Sequence, residues 1–414
     1  MSITIQHIEE AAKRLEQVVQ KTPLQYSKRL SKKYGADIYL KREDLQEVRS
    51  FKIRGAYNKM SSLTDEEKAR GVVCASAGNH AQGVAYSCNA LKVKGVIFMP
   101  IVTPNQKIDK VQQFGDGYIE IKLVGNTFDE ASIASQVYTK DNNSVYVHPF
   151  NDPYTIAGQG TVGKEIYEDL KGKVDYVVSA IGGGGLISGI STYIKSKNPI
   201  ATIIGTEPKG AAGMYESLKK GSVVTLERID TFVDGAAVKT VGDLTFDICK
   251  KNVEKVICVE EGKDCSTMIE LYQNEGIIAE PAGALSVAAL DDIATEIIGK
   301  KVVCVISGGN NDILRYPEIM ERSLVYQGLK HYFIIDFAQK PGQLKRMVNE
   351  ALGPTDDIVR FEYIKKTNKE KGPALVGFEL KSRNDLEPLI ARMQAIELKF
   401  TKVSQDDLLY DYLV

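Results

Sequence analysis

The sequence predicts an α/β layered fold followed by a smaller C-terminal module of different pattern. Three observations predict it. From about residue 70 to 310, short β-branched runs alternate with helical stretches. Those runs are four to six residues long and apolar on both faces, as parallel strands covered by helices are. From residue 331 the character of the chain changes.

Taken in order, Val72–Ala75, Val96–Met99, Tyr176–Ser179 and Val302–Ile306 read as buried strands. Thr161–Leu170 and Cys265–Asn274 read as helices between them. In such a fold the ligand-binding crevice lies at the carboxyl ends of the strands. Beyond residue 330, His331–Phe337 reads as a strand, and Pro341-Gly342-Gln343 opens a helix with the apolar face Leu344, Met347, Val348 and Ala351. Ile358–Tyr363 and Ala374–Leu380 are strands around a polar turn, Lys365–Gly372. Leu386, Leu389, Ile390 and Met393 stand at helical spacing, and Lys399–Val403 closes as a strand. The order is βαββαβ, the ferredoxin-like arrangement. With no paired carboxylates, no nucleophile–base pair and one histidine, His331, this module suits binding or assembly better than chemistry.

A chain of 414 residues has room for two or three domains. Lys+Arg 53 against Asp+Glu 54 leaves a net charge of −1, which argues against nucleic acid as a partner. No apolar run of about 18 residues occurs, so no membrane span is expected. Glu9 and Glu10 and the lack of an apolar segment make the N-terminus unlike a signal peptide. The six cysteines form no CxxC pair and no zinc-ligand spacing, so they are not expected to hold a metal, and a reduced, cytoplasmic protein is the simplest reading.

Four stretches carry candidate chemistry. Lys52, between Phe51 and Ile53, is either a lysine lying along a helix with its ammonium in water or a partly desolvated amine suited to covalent chemistry with a carbonyl. Ser76-Ala77-Gly78-Asn79-His80-Ala81-Gln82-Gly83 follows a strand directly. It offers hydroxyl, amide and imidazole groups for a carboxylate and a phenolic oxygen, or else a capped helix start with Ser76 or Asn79 as the cap. Gly182-Gly183-Gly184-Gly185-Leu186 lies between a strand and an apolar helix. Its unobstructed N–H groups and the helix N-terminus make a phosphate cradle, the alternative being a flexible surface loop. Ser307-Gly308-Gly309-Asn310 ends the strand Val302–Ile306; it is a common turn, or it brings a hydroxyl to the same crevice.

SFKIRGA (50–56), SAGNHAQG (76–83), GGGGL (182–186) and SGGN (307–310), in this order, resemble the fold-type-II pyridoxal-phosphate enzymes, tryptophan-synthase-β-like in fold. More narrowly they resemble the threonine dehydratases (threonine ammonia-lyases) and their serine-acting relatives. The resemblance spans about residues 5–325, and the tail is similar to an ACT-like regulatory domain. It implies a catalytic region at 1–325, with a smaller subdomain at about 45–150, a linker at 326–330 and a regulatory domain at 331–414.

The resemblance also implies roles. Lys52 would hold pyridoxal 5′-phosphate covalently and later remove the substrate's α-proton. Phe51 would pack near the ring, Asn79 would bond the phenolic oxygen, and Gly182, Gly183, Gly184, Gly185 and Leu186 would hold the phosphate. Ser307 would face the ring nitrogen. Ser76, Gly78, Asn79 and His80 would hold the substrate. The implied reaction turns L-threonine into 2-oxobutanoate and ammonia, the first step of isoleucine biosynthesis. L-serine is the alternative substrate, other β-elimination or β-replacement chemistry an alternative reaction, and a non-catalytic amino-acid sensor the rival outside enzymes. A branched-chain amino-acid effector at the C-terminal domain and a homo-oligomer, dimer or tetramer, are further implications. Ala77 stands where serine racemases of this family tend to carry a second serine, which favours one-sided elimination. Glu207 matches a metal-site position of some relatives, but the acidic partner expected about six residues on is Gly213 here, which argues against a divalent ion and leaves a monovalent one held by carbonyls open.

Overall fold

A computed structural model describes residues 3–364, 370–404, 407 and 409–413. The chain divides into two compact units, Met1–Asn311 and Asp312–Val414. Among the described residues no helix is long and apolar enough to cross a membrane.

The first unit holds two sheets. The larger orders its strands as Leu24–Tyr26, Asp37–Arg42, Lys301–Ile306, Tyr176–Ala180, Thr202–Pro208 and Lys255–Val259. All are parallel except Leu24–Tyr26, which pairs antiparallel with Asp37–Arg42. The smaller sheet is parallel throughout: Ile119–Leu123, Gly95–Met99, Val72–Ala75 and Val145–Tyr146. The strand runs read from the sequence lie inside these elements. They are two-faced because helices cover both sides, burying Val177, Ile203 and Val303 in one core and Cys74, Ile97 and Met99 in the other.

The helix expected at 161–170 spans Pro153–Asp169. Asp152 caps it by accepting from the N–H groups of Tyr154 and Thr155, both at 2.9 Å, and Pro153 occupies its first turn. Its first half is hidden by Gly158 and Gly160, which give no helical apolar period. Those glycines exist for packing: a Cβ on Gly158 would lie 2.2 Å from the Arg54 carbonyl oxygen. The helix expected at 265–274 lies within Glu261–Glu275, which starts one turn earlier.

The second unit is a four-stranded antiparallel sheet, ordered Asp357–Tyr363, Lys371–Glu379, Lys330–Ala338, Lys399–Lys402. Helices Gln343–Glu350 and Leu386–Ala395 cover it, giving the βαββαβ order. Residues 312–325, read above with the catalytic region, fall in this unit. Helix Tyr316–Tyr326 is tied to the sheet by Glu321, which accepts from the Tyr332 hydroxyl at 2.6 Å. Of the expected apolar face, Met347 on Gln343–Glu350 and Ala351 just after it are fully buried. Leu344 and Val348 are exposed, because the stripe facing the sheet is narrower than the apolar residues in this short helix. Of the expected polar turn, 365–369 lies outside the described residues; Lys371 and Gly372 already belong to a strand.

Candidate active site

Three neighbouring strands deliver three loops to one edge. Asp37–Arg42 leads toward Lys52, Lys301–Ile306 ends at Ser307, and Tyr176–Ala180 ends at the tetraglycine. Ser50 bridges to Gly308, and the Phe51 N–H donates to the Ser307 carbonyl at 3.1 Å. Lys52 is therefore placed by its own backbone as the first residue of helix Lys52–Ser61. Below it, Arg54 binds Glu43 and Glu165, securing that helix to the larger sheet and to helix Pro153–Asp169.

Phe51, Lys52, Gly182, Gly183, Gly184, Gly185, Leu186 and Ser307 line one narrow cleft. Lys52, Ser76, Gly78, Asn79 and His80 line an adjoining cavity of about 300 Å³. Lys52 and Gly183 border both. All the candidate residues read from the sequence thus meet in one crevice.

The Lys52 amine donates to the Pro149 carbonyl at 3.1 Å and lies 5.2 Å from the centre of the Phe51 ring. Burial pushes its pKa down to about 8, against the pull of the Glu280 carboxylate. A fraction of the amine is therefore free base near neutral pH, as a nucleophile and proton acceptor needs. The flanking imidazoles stay neutral. Burial lowers His80 to about 3 and His148 to about 4, with the Lys52 charge adding to both. His80 Nε2 donates to the Val147 carbonyl at 2.8 Å, and His148 Nδ1 accepts from the N–H groups of Phe150 and Asn151. The buried His80 ring brings no positive charge to a carboxylate; what its loop offers an anion is backbone N–H at the helix start.

Helix Asn79–Leu91 begins after Gly78, and neither Ser76 nor Asn79 caps it. Ser76 Oγ instead accepts from the Gly78 N–H at 3.2 Å. Asn79 is held sideways by residues that sequence reading gave no role: its amide donates to Glu280 at 2.6 Å and accepts from Asn310 at 2.7 Å. Phe150, Gln159 and Pro149 were missed as well. No sequence signal marks them, because they reach the cleft only through the packing of helix Pro153–Asp169 and the segment before it.

The tetraglycine is a close-packed cradle, not a flexible loop. A Cβ on Gly183 would stand 2.2 Å from the Phe150 ring. Gly184 has φ +91° and starts helix Gly185–Lys197, while the Thr245 hydroxyl donates to the Gly183 carbonyl at 2.6 Å. Ser307 Oγ donates to the Ala282 carbonyl at 3.1 Å. Glu207, buried, accepts from the N–H groups of Met214 and Tyr215 at 2.7 and 2.8 Å, and burial pushes its pKa up to about 8. Both its oxygens are thus used by the start of helix Gly213–Lys220.

Two family models match: "Pyridoxal-phosphate dependent enzyme" over residues 15–308 and "C-terminal regulatory domain of Threonine dehydratase" over 321–413. The chain is 52% identical over 412 residues to the biosynthetic L-threonine dehydratase of Halalkalibacterium halodurans, covering 100% of this chain and 99% of that one. The chain belongs to the threonine dehydratases of the pyridoxal-phosphate-dependent enzymes. The relative from Bacillus subtilis is 51% identical over 412 residues, covering 100% of this chain and 98% of its own. Among solved structures, processed threonine deaminase isoform 2 of Solanum lycopersicum matches with TM-score 0.73 and 39% identity, over 77% of this chain and 92% of that one. Maize serine racemase matches with TM-score 0.72 and 32% identity, over 79% and 99%. The family's cofactor is pyridoxal phosphate, and the crevice suits it. An aldehyde needs the amine at Lys52, a phosphate needs the side-chain-free cradle and helix start at Gly182–Gly185, and a phenolic oxygen needs a donor such as the Asn79 amide.

Proposed function

We propose that the protein is a pyridoxal-phosphate-dependent threonine ammonia-lyase that converts L-threonine into 2-oxobutanoate and ammonia. One observation carries the choice of substrate: the full-length match to biosynthetic L-threonine dehydratases, in both the catalytic region and the regulatory tail. The cofactor, when bound, supplies the electron sink that makes loss of the α-proton feasible. Everything else falls to this chain. The tetraglycine N–H groups and the start of helix Gly185–Lys197 would hold the phosphate, with Phe51 and Ser307 lining the same cleft. Asn79 offers an N–H to the phenolic oxygen. Ser76, Gly78 and the backbone at His80 hold the substrate carboxylate, fixing the amino acid against the Lys52 amine. That amine takes the α-proton and the substrate's β-hydroxyl leaves with a proton as water; the released enamine becomes an imine that water hydrolyses to 2-oxobutanoate and ammonia. Ala77 puts no second proton carrier on the other face, so the outcome is elimination and not racemisation.

The C-terminal unit is read as the seat of control by a branched-chain amino acid, isoleucine in the first place, in a cytoplasmic homo-oligomer. Steady-state comparison of L-threonine and L-serine tests the substrate: the higher kcat/KM is expected for threonine, and a clear preference for serine overturns it. Removing residues 312–414 should leave a threonine-active protein deaf to isoleucine, and continued inhibition would move the effector site into the first unit.

A further inference from the structure

The SGGN turn and the Glu280-Pro281 helix start hold a hydrogen-bond chain that the roles above do not use. The Asn310 side chain spends both N–H groups on oxygens, at 2.8 Å to the Val48 carbonyl and 2.7 Å to Asn79 Oδ1. A carbonyl accepts only, so the Asn310 amide is fixed one way round, and it fixes Asn79 in turn. Asn79 must then present its NH₂ to Glu280, whose Oε1 lies 2.6 Å away. Glu280 Oε2 accepts from the Asn310 backbone N–H at 3.2 Å. Both neighbours of this carboxyl are donors, so each of its oxygens serves as an acceptor. Gly308 belongs to the same device, since a Cβ there would come within 2.3 Å of Glu280 Oε1.

We infer that Glu280 and Asn310 are positioning residues: together they orient the Asn79 amide so that its second N–H is left for the ring oxygen of the cofactor. Each of Glu280, Asn79 and Asn310 lines the cavity that Lys52 borders. The inference rests on the cofactor reading above. It departs from a packing role in one checkable way. Glutamine has nearly the shape of glutamate but one acceptor and one donor, so at position 280 it sets a donor against a donor.

The test uses the full-length holoenzyme with Glu280→Gln, Asn310→Ala and the double variant. Measured are the visible absorption of the bound cofactor, the Kd for pyridoxal phosphate, and kcat and KM for L-threonine. Expected for Glu280→Gln are a changed visible band, a Kd raised at least about tenfold and a kcat lowered about 10- to 100-fold, with KM changed much less. Because the residues act as one chain, the double variant should cost no more than the worse single. Asn310→Ala gives the same reading if Glu280→Gln does not fold. A wild-type spectrum and Kd in a folded Glu280→Gln, or fully additive losses, overturn the inference. Wild-type protein that binds no pyridoxal phosphate overturns the cofactor reading itself.

Discussion

Arg54→Met is the substitution whose cost can be worked most directly from the structure. The Arg54 guanidinium is 1% exposed and binds Glu43 with two contacts of 2.8 Å, Nε to Oε2 and Nη2 to Oε1. It binds Glu165 at 2.6 and 3.0 Å and the Thr161 hydroxyl at 3.0 Å. Lys41, fully buried, completes the set by donating to Glu165 at 2.5 Å and to the Thr22 carbonyl at 2.7 Å. Two cations and two carboxylates cancel. Methionine fills the space but strands Glu43, which is 0% exposed and whose pKa Arg54 holds below the usual carboxylate value against the cost of burial. Breaking a buried pair from one side costs about 3–5 kcal/mol. At about 2–4 °C per kcal/mol for a large domain, the melting temperature should fall by roughly 6–20 °C. Replacing Glu43 as well, Arg54→Met with Glu43→Leu, leaves Lys41 and Glu165 as a matched pair and should recover most of the loss. Thermal melts of both variants decide. A single variant within about 1 kcal/mol of wild type, or a double worse than the single, would refute the reasoning.

Three other outcomes follow from the same structure. Gly183→Ala drives a methyl into the Phe150 ring and should weaken pyridoxal-phosphate binding about 10- to 100-fold with the fold retained; unchanged affinity would mean that the tetraglycine does not hold the phosphate. Asp264 is buried with no hydrogen-bond partner for either oxygen among the described residues, and burial holds its pKa well above the usual value. A raised folded pKa means that stability is lost as pH climbs past the unfolded value near 4. Asp264→Asn should therefore flatten the fall in stability between pH 4 and pH 7, and denaturant titrations with the same pH dependence as wild type would contradict this. Lys52→Ala should abolish turnover while leaving the melting temperature of the apo-protein within a few degrees, and surviving turnover would assign the chemistry elsewhere.

What the sequence displays here is the part of the structure made locally. Strands such as Val302–Ile306 are legible because two covered faces demand an unbroken apolar run, and the four motifs because each turn closes within eight residues. The βαββαβ tail is legible by its periods alone. Helix Pro153–Gly160 was not, since glycines chosen for contact with Arg54, Ile8 and Gly189 erase the helical pattern. Glu280 escaped because its meaning lies in Asn79, 201 positions away, and Phe150 because its role is to lie against a glycine. The alternative of a helix start capped by Ser76 or Asn79 fails for a related reason: the Asn79 amide is engaged with Glu280 and Asn310 across the crevice, and Ser76 Oγ accepts from the Gly78 N–H instead.

The central claim concerns one amine. Borohydride reduction of the holoenzyme, followed by proteolysis and mass spectrometry of the peptides, reads directly which lysine carries pyridoxal phosphate. The account predicts the label on Lys52, in the peptide containing Ser50-Phe51-Lys52-Ile53, at close to one per chain. A label on any other lysine, or none, contradicts it.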